Sequence, residues 1–301
     1  MKNYDTFIIG HICLDKIVAF DTGEISEAVG GAVTFSSYSA VAGGHKTGVL
    51  TKTSKEDMNL LDYFILPKED IYFLESEKTT SIKNEFLSAD NERRICTALS
   101  VADPFTMKDI PNVNSKIYHL AGLIAGDFDN DMMKQLSTKG KVAVDMQGFL
   151  RVVEDGKMVF KDWKEKMEYL PYIHFLKTDA AEAEVLTGYD DREKAARVLF
   201  EWGAKEVMIT HNTEVITYGE EGLCTFPLKP RNISGRTGRG DTCFSAYITE
   251  RMNKGMEESL LYAAALVSLK METPGPFKGT RSDVENYIDR FYHCNTELAI
   301  D

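Results

Sequence analysis

Thr237-Gly238-Arg239-Gly240-Asp241 sets two glycines and a carboxylate at the start of an apolar-periodic stretch. Glycine opens backbone conformations that other residues resist. Consecutive amides at a helix N-terminus point outward, and the helix dipole favours negative charge there. Such a mouth is an anion hole, suited to the charge spread over a phosphoryl group in transfer. A carboxylate at the same place, Asp241, can take the proton of an attacking hydroxyl. A purely local reading stands beside this one: a Gly-rich loop with an acidic residue in the first turn of a helix.

Four other stretches carry polar groups at points where strands end. Lys177-Thr178-Asp179-Ala180-Ala181-Glu182, running on to Leu186-Thr187-Gly188, sets two carboxylates, Asp179 and Glu182, three residues apart where a strand gives way to a helix. It also reads as a capped helix, with Asp179 at the N-cap and Gly188 beyond the last turn. Near the N-terminus, Gly10 to Asp15 follows the first apolar run, and Gly30-Gly31 precedes Ala32-Val33-Thr34-Phe35. Asp145, Gln147 and Arg151 follow a central apolar run, with Arg151 free to meet a ligand or to pair with Asp145. Thr210 and Asn212 close another run, and Asn212 tolerates left-handed turns.

The elements that position these groups follow from periodicity. Short runs apolar on both faces are predicted as buried strands over 7–9, 47–51, 117–120, 142–144, 173–176 and 206–209. Helical patterns at 34–42, 130–135, 163–169, 180–186 and 192–202 lie between them, and 241–253, 256–271 and 282–292 follow. This alternation predicts an α/β fold with a mostly parallel sheet. Leu14–Phe20 and Asp70–Val101 break the rhythm, because Ile71/Phe73, Ser81/Lys83/Glu85/Leu87 and Ile95/Thr97/Leu99 alternate without a long helix between them. A small, partly exposed antiparallel sheet is expected from them, either a cover over the cleft or an excursion at the sheet edge.

Bulk properties narrow the field. The chain has 301 residues and a net charge of −12, from 47 acidic against 35 basic residues. No basic run offers a phosphate-backbone footprint, so nucleic acid is not an expected partner. No apolar run reaches membrane-spanning length, and the N-terminal run is too short for a signal peptide, so a cytoplasmic protein is expected. The five cysteines are scattered and imply no disulfide framework.

Taken in order, these stretches resemble the ribokinase-like (PfkB) family of small-molecule kinases. Thr237, Gly238, Gly240 and Asp241 fall on its C-terminal signature, with Gly235 departing from an acidic or amide position and Arg239 from alanine. Asp179 and Glu182 resemble its N-x-x-E segment, Gly30 to Phe35 its Gly-Gly segment, and the Asp145 to Arg151 stretch is similar to the inositol-kinase branch. The resemblance implies one kinase domain over 1–301: a three-layer α/β fold with a lid built from about 12–29 and 70–101. It implies Asp241 as base, with the amides of Gly238, Arg239 and Gly240 as anion hole. Asp15, Gly30, Gly31, Phe35, Gln147 and Arg151 fall to the substrate, with Phe35 in place of an asparagine and able to stack on a ring. Asp179, Thr210, Asn212 and Thr237 fall to the nucleotide, and Glu182 with Asp179 to Mg²⁺. ATP and Mg²⁺ are the implied cofactors, with a monovalent cation left open. The implied acceptor is a sugar, sugar acid or inositol-like polyol, and the chain a monomer or a homodimer through the lid. A nucleoside kinase and a silent ligand-binding member on the same fold remain the alternatives.

Overall fold

The computed structural model describes residues 1–88 and 94–293. Its strands are β1 (Lys2–Ile9), β2 (Cys13–Val18), β3 (Ile25–Gly30), β4 (Thr47–Thr53), β5 (Ile71–Glu75), β6 (Ser81–Phe86), β7 (Arg94–Ser100), β8 (Val113–Leu120), β9 (Lys141–Asp145), β10 (Arg151–Glu154), β11 (Lys157–Phe160), β12 (Phe175–Asp179), β13 (Glu206–Thr210), β14 (Glu214–Gly219) and β15 (Gly222–Pro227). Its α-helices are α1 (Ala32–Ala42), α2 (Asp131–Ser137), α3 (Gln147–Leu150), α4 (Lys166–Tyr169), α5 (Ala180–Thr187), α6 (Arg192–Glu201), α7 (Arg239–Glu250), α8 (Met256–Lys270) and α9 (Arg281–Phe291).

Nine strands form one sheet in the order β15-β14-β13-β12-β9-β8-β1-β4-β5. It is parallel from β5 through β13 and antiparallel across β14 and β15. The doubly apolar strands explain why helices cover both faces. Val142 and Val144 of β9 join the core under α2, α5 and α6, while Ala143 between them faces α7 and α8. Likewise Val207 and Ile209 of β13 face one way and Met208 the other. Side chains alternate along a strand, so a strand apolar at every position needs two cores. The result is a three-layer α/β fold. Among the described residues no helix is long and apolar enough to cross a membrane.

A second sheet of six strands, ordered β10-β11-β7-β6-β2-β3, stands apart from the first. It corrects the sequence reading in three ways. Ile71 and Phe73 lie in β5, which pairs in parallel with β4 at the edge of the large sheet; Tyr72 and Leu74 beside them pack on the main core. An edge strand is covered unevenly, so its pattern mimics a strand with one polar face. The hairpin β10–β11 joins the small sheet, outside the stretches expected to build it. And β2 pairs with β6 in parallel, so the sheet is not wholly antiparallel. The part of the expected lid at 89–93 lies outside the described residues, as does Cys294.

Candidate active site

The strands that end near one another at their C-terminal edge deliver the polar groups: β9 ends at Asp145, β12 at Asp179 and β13 at Thr210. This edge is where open α/β sheets bind ligands. The N-terminus of α7 points into the same region, with Gly238 at its N-cap at φ 76°. Two constraints make residue 238 a glycine. Positive φ strains any side chain, and a Cβ there would stand 2.2 Å from the Phe35 ring. Phe35, expected to stack on a substrate ring, is thus buried with its face against Gly238.

α1 fastens the mouth from the other side. Ser36 Oγ donates to Asp241 O at 3.3 Å, Ser39 Oγ to Thr242 O at 2.8 Å, and Ser245 Oγ returns a bond to Ser36 O at 2.7 Å. Small hydroxylated side chains let the two helices approach closely while their polar groups are satisfied. Of the amides assigned to the anion hole, that of Arg239 bonds back to Arg236 O at 3.2 Å. The Arg239 guanidinium bonds Asn212 Oδ1, bridging from the α7 mouth to the turn after β13.

Lys177 sits at the centre. It is 4% exposed on β12, a strand buried up to its last residue, with Nζ 3.0 Å and 3.1 Å from the two Asp145 carboxylate oxygens and 3.8 Å from Glu182 Oε2. A Cβ at Gly240 would stand 3.3 Å from Lys177 Nζ, so the ammonium also borders the α7 mouth. Burial works against the Lys177 charge, but Asp145, Glu182, Asp241 and Asp179 together hold it well above the usual lysine range. Arg151 has no part in that pairing. It starts β10, its guanidinium 5.5 Å over the Phe160 ring on the small sheet, and its charge acts on Asp241 and Asp15.

Burial and the neighbouring Asp145 carboxyl push Asp241 up to about 6, against the pull of Lys177. That is a carboxylate poised to exchange a proton near neutral pH. Burial pushes Asp15 up to about 6 as well, opposed by Arg94, the Ile82 amide and Arg151. Asp15 stands on β2 of the small sheet, and a Cβ at Gly30 would lie 2.5 Å from its Oδ2. Its Oδ1 is buried without a hydrogen-bond partner, an acceptor suited to a ligand hydroxyl.

Asp179 and Glu182 form a reciprocal cap on α5: Glu182 N donates to Asp179 Oδ1 and Asp179 N to Glu182 Oε2, both at 2.8 Å. Glu182 is 1% exposed, and burial pushes it up to about 8 despite Lys177. Its Oε1 has no protein partner. Among the described residues no group of three ligating side chains gathers as a closed metal cage. One orphan carboxylate oxygen with its partner carboxylate nearby fits Mg²⁺, which keeps waters and binds through one or two carboxylates plus substrate phosphate. Thr210 Oγ1 donates to Thr178 O at 3.4 Å, Gln147 N to Asp145 Oδ1 at 3.1 Å, and Thr237 O accepts from Lys270. Sequence reasoning missed Lys177, Lys270 and the pairing of Asp145. A lysine inside a run that is otherwise buried, in β12 or at the end of α8, was the available signal.

Against known proteins, residues 68–281 match the pfkB family of carbohydrate kinases. The chain belongs to that family, and it is a phosphotransferase of the sugar or polyol kinase kind. It is 34% identical to a pyrophosphate-dependent kinase in the ribokinase family solved with sulfate, covering 93% of this chain and 99% of that one at a TM-score of 0.85. A pyrophosphate-dependent kinase in the ribokinase family, complexed with a pyrophosphate analog and myo-inositol, is also 34% identical, at 93% and 99% coverage and a TM-score of 0.83. The Arabidopsis thaliana ribokinase with ribose and ATP shares the fold at a TM-score of 0.74 and 15% identity, over 96% and 99% of the chains. A cytidine kinase of Thermococcus kodakarensis is 26% identical over 259 residues, 81% of this chain and 87% of that one.

Proposed function

We propose that the chain phosphorylates a hydroxyl of an inositol-like polyol, with Asp241 as the base. The observation that carries this reading is the meeting of a raised carboxylate, Asp241, with the N-terminus of α7 and a buried cation, Lys177, at one sheet edge. The acceptor lies under the small sheet, where Asp15 takes hydrogen bonds from its hydroxyls and Arg151 flanks it. Asp241 removes the proton of the attacking hydroxyl. The α7 mouth binds the phosphoryl group being transferred, and Lys177 keeps Asp145 and Glu182 from repelling it. Mg²⁺, when bound through Glu182 and Asp179, neutralises charge on the donor phosphates. The small sheet acts as a lid that excludes water from the reacting groups.

For the donor, the arrangement of Arg239 favours inorganic pyrophosphate. Its guanidinium reaches across to Asn212, where a nucleotide's sugar and base need open, largely apolar space. Pyrophosphate carries dense charge and no base, and suits a site bordered by Arg239, Lys177 and Lys270. Support also comes from the pyrophosphate-dependent kinases to which the chain is similar. ATP, the donor implied by the sequence resemblance, is the second reading; Thr210 at the end of β13 favours it. A transfer assay with each donor across myo-inositol, its isomers, ribose and cytidine separates these readings. Turnover of myo-inositol with pyrophosphate is the expected result. Turnover confined to cytidine, or to ATP, would overturn the acceptor or the donor assignment respectively.

A further inference from the structure

Lys270 ends α8 inside the protein and is 2% exposed. A buried ammonium is costly unless its protons find acceptors. Lys270 Nζ donates to the backbone carbonyls of Gly235 and Thr237, in the loop that leads into the α7 mouth. It also stands 5.2 Å from the centroid of the Phe35 ring, the ring that lies against Gly238; a cation over a ring face is held electrostatically. Burial brings Lys270 down to about 8, with Arg239 adding to the fall and the Asp241 charge opposing it, so the ammonium form still dominates at neutral pH.

The loop is tied to the same place by its backbone. Gly235 N donates to Met271 O at 2.7 Å, one residue beyond Lys270. A Cβ at Gly235 would stand 1.9 Å from Thr273 O, so no side chain fits there. The carboxylate or amide that the family resemblance expects at this position is therefore excluded by packing. The polar group that meets the loop here is the lysine.

We propose that Lys270 is a tethered cation that orients the anion-hole loop and takes the place of a dissociable monovalent ion, so that phosphoryl transfer needs no added K⁺ or NH₄⁺. This rests on reading the loop before α7 as the donor's anion hole. In a trans peptide the carbonyl and the next amide point opposite ways. Turning the carbonyls of Gly235 and Thr237 onto Lys270 therefore turns the amides of Arg236 and Gly238 away from it. The positive charge polarises both peptide groups and strengthens them as donors to an anion. Backbone carbonyls converging on one point also suit a bare monovalent cation. An ammonium held by its own side chain serves there without the entropy cost of capturing an ion.

The test compares wild type with Lys270→Met in tetramethylammonium buffer, adding KCl, NH₄Cl or LiCl at constant ionic strength. Wild type is expected to turn over equally in all of them. The variant is expected to lose about a hundredfold in turnover, the scale of removing one oxyanion-hole donor, and to regain part of it with K⁺ or NH₄⁺ but not Li⁺. Its melting temperature is expected to rise more with KCl than with LiCl, as ion binding to the native state requires, while that of wild type makes no distinction. A wild type that needs K⁺ overturns the proposal. So does a variant that keeps full turnover in tetramethylammonium, or a folded variant blind to the difference between K⁺ and Li⁺. If the variant does not fold, the wild-type series decides. If wild type turns over no donor at all, the proposed function fails instead, and the two melting series still judge Lys270.

Discussion

The α7 mouth and the small sheet are built on opposite plans. The mouth is fixed from every side: serine hydroxyls from α1, the Phe35 ring beneath Gly238, Lys177 from β12 and Lys270 from α8. The small sheet collects strands from separate stretches of the chain, most of their residues half-buried or exposed, and leaves large apolar side chains such as Ile25, Ile95 and Leu99 open to solvent. On the proposed function, the difference separates two tasks. Stabilising a transferring phosphoryl group demands donors held in place before reaction. Covering an acceptor demands a surface able to yield and close.

This contrast breaks most sharply at Asp241. Asp241→Asn is expected to cut kcat about a thousandfold, within the range of general-base catalysis, while acceptor KM changes little. Steady-state kinetics with excess donor checks this, and near-wild-type kcat would remove Asp241 from the base role. Lys177→Met comes next. It leaves Asp145 and Glu182 buried without their cation, so a loss of about 3–5 kcal/mol in urea unfolding is expected. A small change there would mean that the mouth is less rigidly held than its contacts imply.

The pH profile sharpens the same point. With Asp241 and Asp15 both raised to about 6 and both needed ionised, kcat/KM should climb through that pH and fall about a hundredfold per unit well below it. The linked stability has the opposite sign: a carboxyl that holds its proton more tightly in the folded state contributes less as pH rises from the ordinary carboxylate range to about 6. Asp241→Asn should flatten that slope in melting experiments. The smallest effect is expected on the lid side. Arg151→Ala should raise acceptor KM by about tenfold, roughly one lost charge-assisted hydrogen bond, with kcat and melting temperature nearly unchanged. A collapse of kcat would instead place Arg151 at the transferring phosphoryl group.

The same contrast governs what could be read from the chain. The mouth was legible because its chemistry is local: Gly238, Gly240 and Asp241 are neighbours, and the apolar period of α7 begins beside them. The core strands were legible because burial on both faces leaves a continuous apolar run, as in Val142–Val144. Lys177 and Lys270 were not, since their roles depend on which distant carbonyls and carboxylates pack against them. The small sheet was misread at β5 because an edge strand of the large sheet alternates in the same way. The β10–β11 hairpin did carry a readable mark. Asp155-Gly156, at φ 50° and 79°, is the Asp-Gly pair that tight hairpin turns prefer.

The serine bonds between α1 and α7 have a mechanical consequence. β3, an edge strand of the lid, runs through Gly30 and Gly31 directly into α1. α1 is in turn riveted to the backbone of Asp241 and Thr242. A displacement of that edge of the small sheet would therefore be passed along one helix to Asp241, the proposed base. On the proposed function, acceptor arrival and base alignment would be coupled through one continuous stretch of chain, interrupted only by a glycine pair.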